Sequence, residues 1–366
     1  MMNSQKNTPA PDDLALANAI AGNFLLPAPL LLGLSESQGF ARLAAHETVS
    51  QDQARRLIAE ERLLKSAAVS KTPAFDIIRD INGCKLKCAS PVAELFYTAL
   101  ALPSVSTRLP MMVYGDAHNV LENAAYAVGL NSVDLSFDPL HVISPSGMLE
   151  GELINAFLER AVKIYKTKTV QNRIERRKRS NRAALRKIRE VFSGIQNDYS
   201  ELDVFELRLF SPPNKLLIDL KRSEKVIMGF CEEALGNKAY RVAAIVRLRC
   251  YTASTGFFFR VLVVAQCPSP SACKYGHPIN GLARVWLDHG GDGSAFVLNT
   301  HFGGNLESAQ RHLKLILSAD QYVHLAPSAK TPHFAVAHRH QRLTVPFSQP
   351  AFNQLASQQQ LPQWVR

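Results

Sequence analysis

The sequence predicts an α+β chain, an antiparallel sheet with helices on one face preceded by a mainly helical N-terminal region. Three features lead there. Residues 13–160 read as mainly helical, with stretches of good helix formers, and are punctuated by Pro103, Pro110, Pro139 and Pro145. After Tyr199, two runs alternate with period two, and a third, Phe257 to Gln266, is strongly apolar. Between and after those runs, apolar stripes at helical spacing return.

Taken in order, residues 1–12 are polar and proline-containing, the composition of a loose terminus. Ala41 to Leu64 is rich in Ala, Glu, Gln, Arg and Leu and predicts a helix. Pro91 to Leu102 and Leu121 to Val128 predict shorter ones, the first opened by Ser90 as N-cap with proline next to it. In Gln171 to Ile195, Leu185, Ile188, Phe192 and Ile195 form one packing stripe. Leu202 to Phe210 reads as a strand, with Phe205, Leu207 and Leu209 opposite Glu206 and Arg208. Leu216 to Leu235 reads as a helix stopped at Gly236-Asn237. Arg241 to Tyr251 and Phe257 to Gln266, joined by the turn residues from Thr252 to Gly256, predict a β-hairpin. A helix over Ile279 to Leu287, a strand over Ser294 to Leu298 and a helix over Leu306 to Leu317 follow. From Pro346 the chain is rich in Gln and Pro, as flexible tails are. The expected division is a helical region over 1–160, an α+β domain with a basic leading helix over 161–342, and a tail over 343–366.

Charge is distributed unevenly. The chain has a net charge of +11. Of its 42 basic and 31 acidic residues, twelve basic ones and Glu175 alone fall between Lys163 and Arg189, leaving thirty of each elsewhere. A neutral body with one cationic strip is the footprint of a polyanion-binding protein. The nucleic-acid contacts expected from this segment are Arg173, Arg176, Arg177, Lys178, Arg179, Arg182, Arg186 and Lys187. Arg247 and Arg249 share a strand face with Tyr251. That pattern reads either as phosphate contact beside a stacking ring or as an ordinary exposed face. DNA is the expected partner, with RNA the alternative polyanion, and no membrane partner is expected.

Six cysteines show no CxxC pair; Cys84 and Cys88 are four apart, Cys267 and Cys273 six apart, and reduced thiols of a cytoplasmic protein are the better reading. Phe24 to Leu34 is apolar but short, holds Pro27 and Pro29, and has no basic flank upstream. It is well below the roughly 20 residues that span a bilayer. His338-Arg-His340 lies in a polar stretch rather than an apolar strand, a poor context for a metal site. Gly290-Gly-Asp-Gly293 lacks the Lys-Ser/Thr of a phosphate-binding loop and reads as a turn.

The order of elements from about Asn172 to His340 resembles the inovirus gene-two-type replication proteins. The landmarks are the basic stretch; Tyr199-Ser-Glu-Leu-Asp-Val-Phe-Glu-Leu-Arg-Leu209; the hairpin from Arg249-Cys-Tyr251 to Gly256-Phe-Phe-Phe-Arg260; Trp286; the Gly290 turn; Asn299; and Leu313 to Tyr322. The resemblance implies a rolling-circle initiator, in which a His-x-His strand holds a divalent metal and a tyrosine attacks a scissile phosphate. In this chain the His-x-His positions hold Phe258 and Arg260, and the neighbouring carboxylate position holds Cys250 or Arg249. The helix that carries the nucleophile offers Leu315 and Ala319, and the expected Arg-x-Asp appears reversed as Glu206-x-Arg208. Phenylalanine and arginine do not ligate Mg²⁺ or Mn²⁺. Tyr322 is the remaining candidate catalytic residue, against its reading as a helix-end tyrosine that packs. Arg260 joins the expected phosphate contacts, and Phe258 and Arg260 are expected on one sheet face, toward Arg208 and Arg249. No cofactor is expected, and a divalent metal only if nicking activity survives. The implied function is nucleic-acid binding with nicking doubtful; a non-catalytic DNA-binding regulator or adaptor is the alternative.

Overall fold

The computed structural model describes residues 11–21, 51–81, 83–102, 112–199, 201–210, 220–236, 241–252, 256–266, 278–290, 296–319, 322–325 and 334–338. The described residues form two units, one of residues 11–21, 51–181 and 315–324, the other of residues 182–314 and 325–338. The boundary therefore falls within the basic helix, after Asn181, rather than at residue 160. The tail over 343–366, the apolar run at 24–34, Cys267, Cys273, residues 1–10 and the start of the helix expected from Ala41 lie outside the described residues, while Pro11 and Asp12, expected in a loose terminus, open a helix.

The first unit is helical, as expected: α1 (Pro11–Ala21), α2 (Gln51–Val69), α3 (Pro91–Leu100), α4 (Asp116–Val128) and α5 (Glu150–Tyr165). Its core joins Leu63, Leu64, Phe96, Leu121, Ile154 and Phe157. Helix α3 starts at Ser90 with proline in its first turn, and α4 ends on Gly129 in the left-handed conformation (φ 73°), which closes a helix at little cost only with glycine. The unit also holds an antiparallel hairpin, β1 (Phe75–Asp80) with β2 (Gly83–Ala89), and a short strand β3 (Met112–Tyr114). Neither is predicted: Cys84 to Cys88 alternates over only five residues, and the β1 and β3 segments do not alternate. The edge of β1 is closed by a side chain: Asn155 of α5 accepts from the Phe75 amide (3.1 Å) and donates to the Phe75 carbonyl (2.7 Å). A second buried polar group fixes the long loop before α5. Glu150, fully buried, accepts from the Ser136 amide (2.6 Å), the Ser136 hydroxyl (2.8 Å) and the Tyr97 hydroxyl (3.1 Å).

Helix α6 (Lys168–Asp198) carries the chain into the second unit. There β4 (Leu202–Phe210), α7 (Leu220–Gly236), β5 (Val242–Thr252), β6 (Gly256–Gln266), α8 (Pro278–Asp288), β7 (Phe296–Gly303), α9 (Leu306–Ala319) and β9 (Phe334–His338) follow, with β8 (Val323–Leu325) paired to β3 in the first unit's sheet. The main sheet has five strands in the order β7-β4-β6-β5-β9, all neighbours antiparallel. The three predicted strands thus lie side by side, and β5 and β6 form the expected hairpin, Thr252 opposite Gly256. His338, read from sequence as outside any strand, ends β9 opposite Ala244.

One sheet face presents Phe205, Leu207, Leu209, Ile245, Phe259, Val261 and Val263 to α7 and α8, whose Phe230 and Trp286 rings meet edge-on at 5.8 Å. The helices expected on one face are these two. The other face is covered as well: Glu206 of β4 reaches His312 of α9, and alternation puts Glu206 opposite in sense to Phe205. Covering both faces removes the exposed strand face that the polar residues of β4 and β5 suggested.

Packing is close where α5 begins. A Cβ at Gly151 would sit 2.8 Å from Ile77 Cδ1 and 3.0 Å from the Pro139 carbonyl oxygen, which already accepts from the Gly151 amide (2.9 Å). Gly151→Ala is expected to destabilise the protein by about 1–3 kcal/mol, overpacking outweighing the better helix propensity of alanine. Urea denaturation with an unchanged slope and a lower midpoint is the expected result; an unchanged midpoint refutes the close approach.

Candidate nucleic-acid interface and buried arginine sites

The basic helix divides its cations between two tasks. Arg173 and Arg177, one turn apart, hold Asp116 at the start of α4 (2.8 and 3.2 Å), and Asp116 is 5% exposed. An acid in a helix's first turn favours the exposed amides there, so this pairing docks α6 onto α4 and gives both arginines a structural role. Lys178 pairs with Glu175 one turn back (2.9 Å), and Arg186 stands 3.8 Å from Glu190, both on the surface. Surface pairs of this kind contribute little.

The remaining arginines follow the helical repeat. Val170, Ile188, Val191, Phe192 and Ile195 are buried. At 100° per residue, the face opposite them carries Arg179 and Arg186 at its centre, with Arg176, Arg182 and Arg189 beside it. All five are exposed. Arg176, Arg179, Arg182 and Arg189 have no carboxylate partner among the described residues; Arg179 donates only to the Glu175 carbonyl (3.4 Å). From Arg176 to Arg189 the stripe runs about 20 Å along the helix. Lys187 is half-buried, and burial lowers its pKa.

The sheet arginines are in a different position. Arg247 and Arg249 are 4% and 3% exposed, and both are held by Glu224 of α7, at 2.9 and 3.3 Å. Arg247 also lies over the Phe259 ring, 5.8 Å from its centroid. Arg260 is 4% exposed and donates from Nε to Glu206 at 2.5 Å. Glu206 also binds His312 Nε2, which stands 3.4 Å from Arg260 Nη2. The expected phosphate contacts at Arg247, Arg249 and Arg260 are therefore replaced by internal ion pairs. The cause is that α7 and α9 bring carboxylate-bearing and imidazole-bearing faces over strands that looked solvent-facing. Tyr251 lies on β5 opposite Phe257 in the hairpin register.

Phe258 and Arg260 do share a sheet face, and Arg260 stands directly opposite Arg208, as expected. Arg249 does not join them: it is opposite Phe259, and its side chain goes to Glu224 on the other face. The residues at the expected metal position, Phe258 and Arg260, are both buried, and among the described residues no cluster of three or more His, Cys, Asp or Glu is placed to hold a metal ion. Tyr322 is 7% exposed, follows α9, and its carbonyl accepts from the Gly115 amide (2.7 Å) in the first unit. That is the position of a packing tyrosine rather than an open nucleophile. Sequence reasoning missed Glu224 and His312. Each lies on a helix far along the chain from its partner, and no spacing rule links them.

The two carboxylates differ in what surrounds them. Burial pushes the Glu206 carboxyl up, but the charges of Arg260 and His312 and the hydrogen bonds from both outweigh it and hold the group well below the ordinary carboxylate range. Burial, and then the Arg260 charge, bring the Arg208 guanidinium down to about 10. Burial also lowers Arg249, against the pull of Glu224. No helix among the described residues is long and apolar enough to cross a membrane. Compared with protein-family models, curated proteins and solved structures, the chain matches none.

Glu206→Gln is expected to destabilise the second unit by about 3–5 kcal/mol at neutral pH, since it leaves Arg260 buried without its counter-charge. Because the folded-state pKa of Glu206 is depressed, its contribution is present above the ordinary carboxylate range and is lost as pH falls through the folded value. Denaturation of the two proteins across acidic and neutral pH should show a gap that closes only on the acid side. A gap that instead closes on raising the pH refutes the pairing.

Proposed function

We propose that this chain binds nucleic acid through the outward arginine stripe of α6, and that it is a DNA-binding, cytoplasmic protein resembling phage or mobile-element replication initiators. The observation that carries the reading is the stripe itself: five exposed arginines on one face of one helix, four of them without a carboxylate partner among the described residues. Like charges at that density repel one another, and a row of phosphates relieves the repulsion while releasing condensed counterions. The residues assigned to binding are Arg176, Arg179, Arg182, Arg186 and Arg189; Arg173 and Arg177 contribute by positioning the helix through Asp116.

A second reading within this class is favoured by the burial of Phe258, Arg260 and Tyr322. A metal-assisted nicking centre needs an open coordination position and an accessible nucleophile. Arg260 bound to Glu206 offers neither, which supports a non-catalytic regulator or adaptor of a phage-derived element over an active initiator.

The combined change Arg176, Arg179, Arg182 and Arg186 to Gln is expected to weaken binding to a duplex oligonucleotide and to reduce the magnitude of the log K–log salt slope by about 3–4. Arg177→Gln is expected to lower thermal stability while leaving the slope nearly unchanged, because Arg177 serves Asp116. A quadruple variant with the parent's slope overturns the proposal. Incubation of the parent with Mg²⁺ and a supercoiled plasmid should give no covalent protein–DNA adduct; an adduct abolished by Tyr322→Phe overturns the non-catalytic reading alone.

A further inference from the structure

Helix α5, the end of α2 and the chain that joins α2 to β1 line a groove of about 460 Å³ in the first unit, within the range of small-molecule sites. Its α5 wall is a single face of that helix. Positions 155, 158, 159, 162, 163 and 166 recur at helical spacing and run about 17 Å along the axis, so the wall is long and straight. The middle of the groove is apolar: Ala74, Val92 and Leu158 are buried, Ala67 and Val162 half-buried. At one end of the α5 face Asn155 is engaged with the Phe75 backbone. At the other end stand Lys163 and Lys166, and Lys71 joins the lining from the loop after α2.

The charges of this lining do not cancel. Its one acid, Glu159, is paired with Lys163 at 2.7 Å. Lys71 and Lys166 have no carboxylate partner among the described residues. Lysines near a helix end often serve its last carbonyls, but α5 has other donors there. The Ile164 carbonyl accepts from the Thr167 hydroxyl (2.8 Å), and the Tyr165 carbonyl accepts from the Gln171 side-chain amide (2.7 Å). Two ammonium groups therefore border an apolar groove without a counter-charge inside it. We propose that this groove binds a straight-chain aliphatic carboxylate, its hydrocarbon along Leu158, Val162 and Val92 and its oxygens accepting from Lys71 and Lys166. Both lysines are exposed, so screening limits the share of charge and apolar burial supplies most of the affinity. A cation of the same shape meets two like charges, and a neutral alcohol gains the apolar contact without the charge-assisted hydrogen bonds. No residue of the arginine stripe lines the groove, and the inference does not rest on the nucleic-acid reading.

The test is calorimetric titration of the full chain with octanoate, 1-octanol and n-octylammonium at neutral pH. Octanoate is expected to bind at least about fivefold more tightly than octylammonium, with octanol between. The double variant Lys71→Met, Lys166→Met keeps the side-chain bulk and removes the charge. It should bring octanoate down to the affinity of octanol and leave octanol unchanged. Ala67→Phe, which enters the groove from its α2 wall, should weaken all three together. No binding by any probe, a preference for octylammonium, an anion preference that survives the double variant, or octanoate binding untouched by Ala67→Phe in a folded protein overturns the proposal.

Discussion

The second unit is organised by two carboxylates, each taken out of water to meet guanidiniums on opposite faces of one sheet. Glu224 closes Arg247 and Arg249 against α7, and Glu206 closes Arg260 and His312 against α9. Strands β4, β5 and β6 are otherwise walls of valine, leucine and phenylalanine, which set no register by themselves beyond alternation. The ionic positions do set one. A one-residue slip of β6 against β4 would turn Arg260 to the α7 face and strand Glu206 against a hydrocarbon surface, a cost of several kcal/mol. Apolar burial supplies the driving force for this unit, and the buried pairs exclude its near alternatives.

The first unit uses the same device with neutral groups and at helix ends. Asn155 supplies the missing strand neighbour of Phe75, Glu150 pins the loop ahead of its own helix, and Asp116 ties the start of α4 to two turns of α6. Each satisfies backbone or charged groups that burial would otherwise leave costly. The effect on the basic helix is direct. By committing Arg173 and Arg177 inward, Asp116 fixes the rotation of α6 about its axis, and that rotation decides which arginines face outward.

What could be read from the sequence followed from local periodicity. The hairpin of β5 and β6, strand β4 and helices α3, α6, α7, α8 and α9 each carry a pattern several residues long, and all were placed close to where they lie. Strands β1, β2, β3, β8 and β9 escaped, being short, polar or completed by side chains such as Asn155. The arginines were the harder case. Arg247 and Arg249 alternate with apolar residues as a solvated face does, and only a glutamate 23 and 25 residues earlier shows otherwise. In α6 the same residue type was read more securely, because twelve cations and one anion in a single segment leave too few carboxylates nearby to bury them all.

That contrast bears on what the two kinds of arginine cost to change. Phe258 and Arg260 are buried on one sheet face, and Arg260 brings a charge that demands Glu206 in return. Once the pair is buried, removing either partner leaves the other charge buried and uncompensated, at a cost of about 3–5 kcal/mol. Sequence drift from such a state is therefore directional. Substitutions that improve the packing of the pair are favourable, and those that replace either partner must first break it. Cationic residues on the surface of α6 face no such barrier, since an exposed arginine is exchanged at little cost to stability. The one-sided stripe on α6 is therefore a feature that the packing of the fold does not itself require.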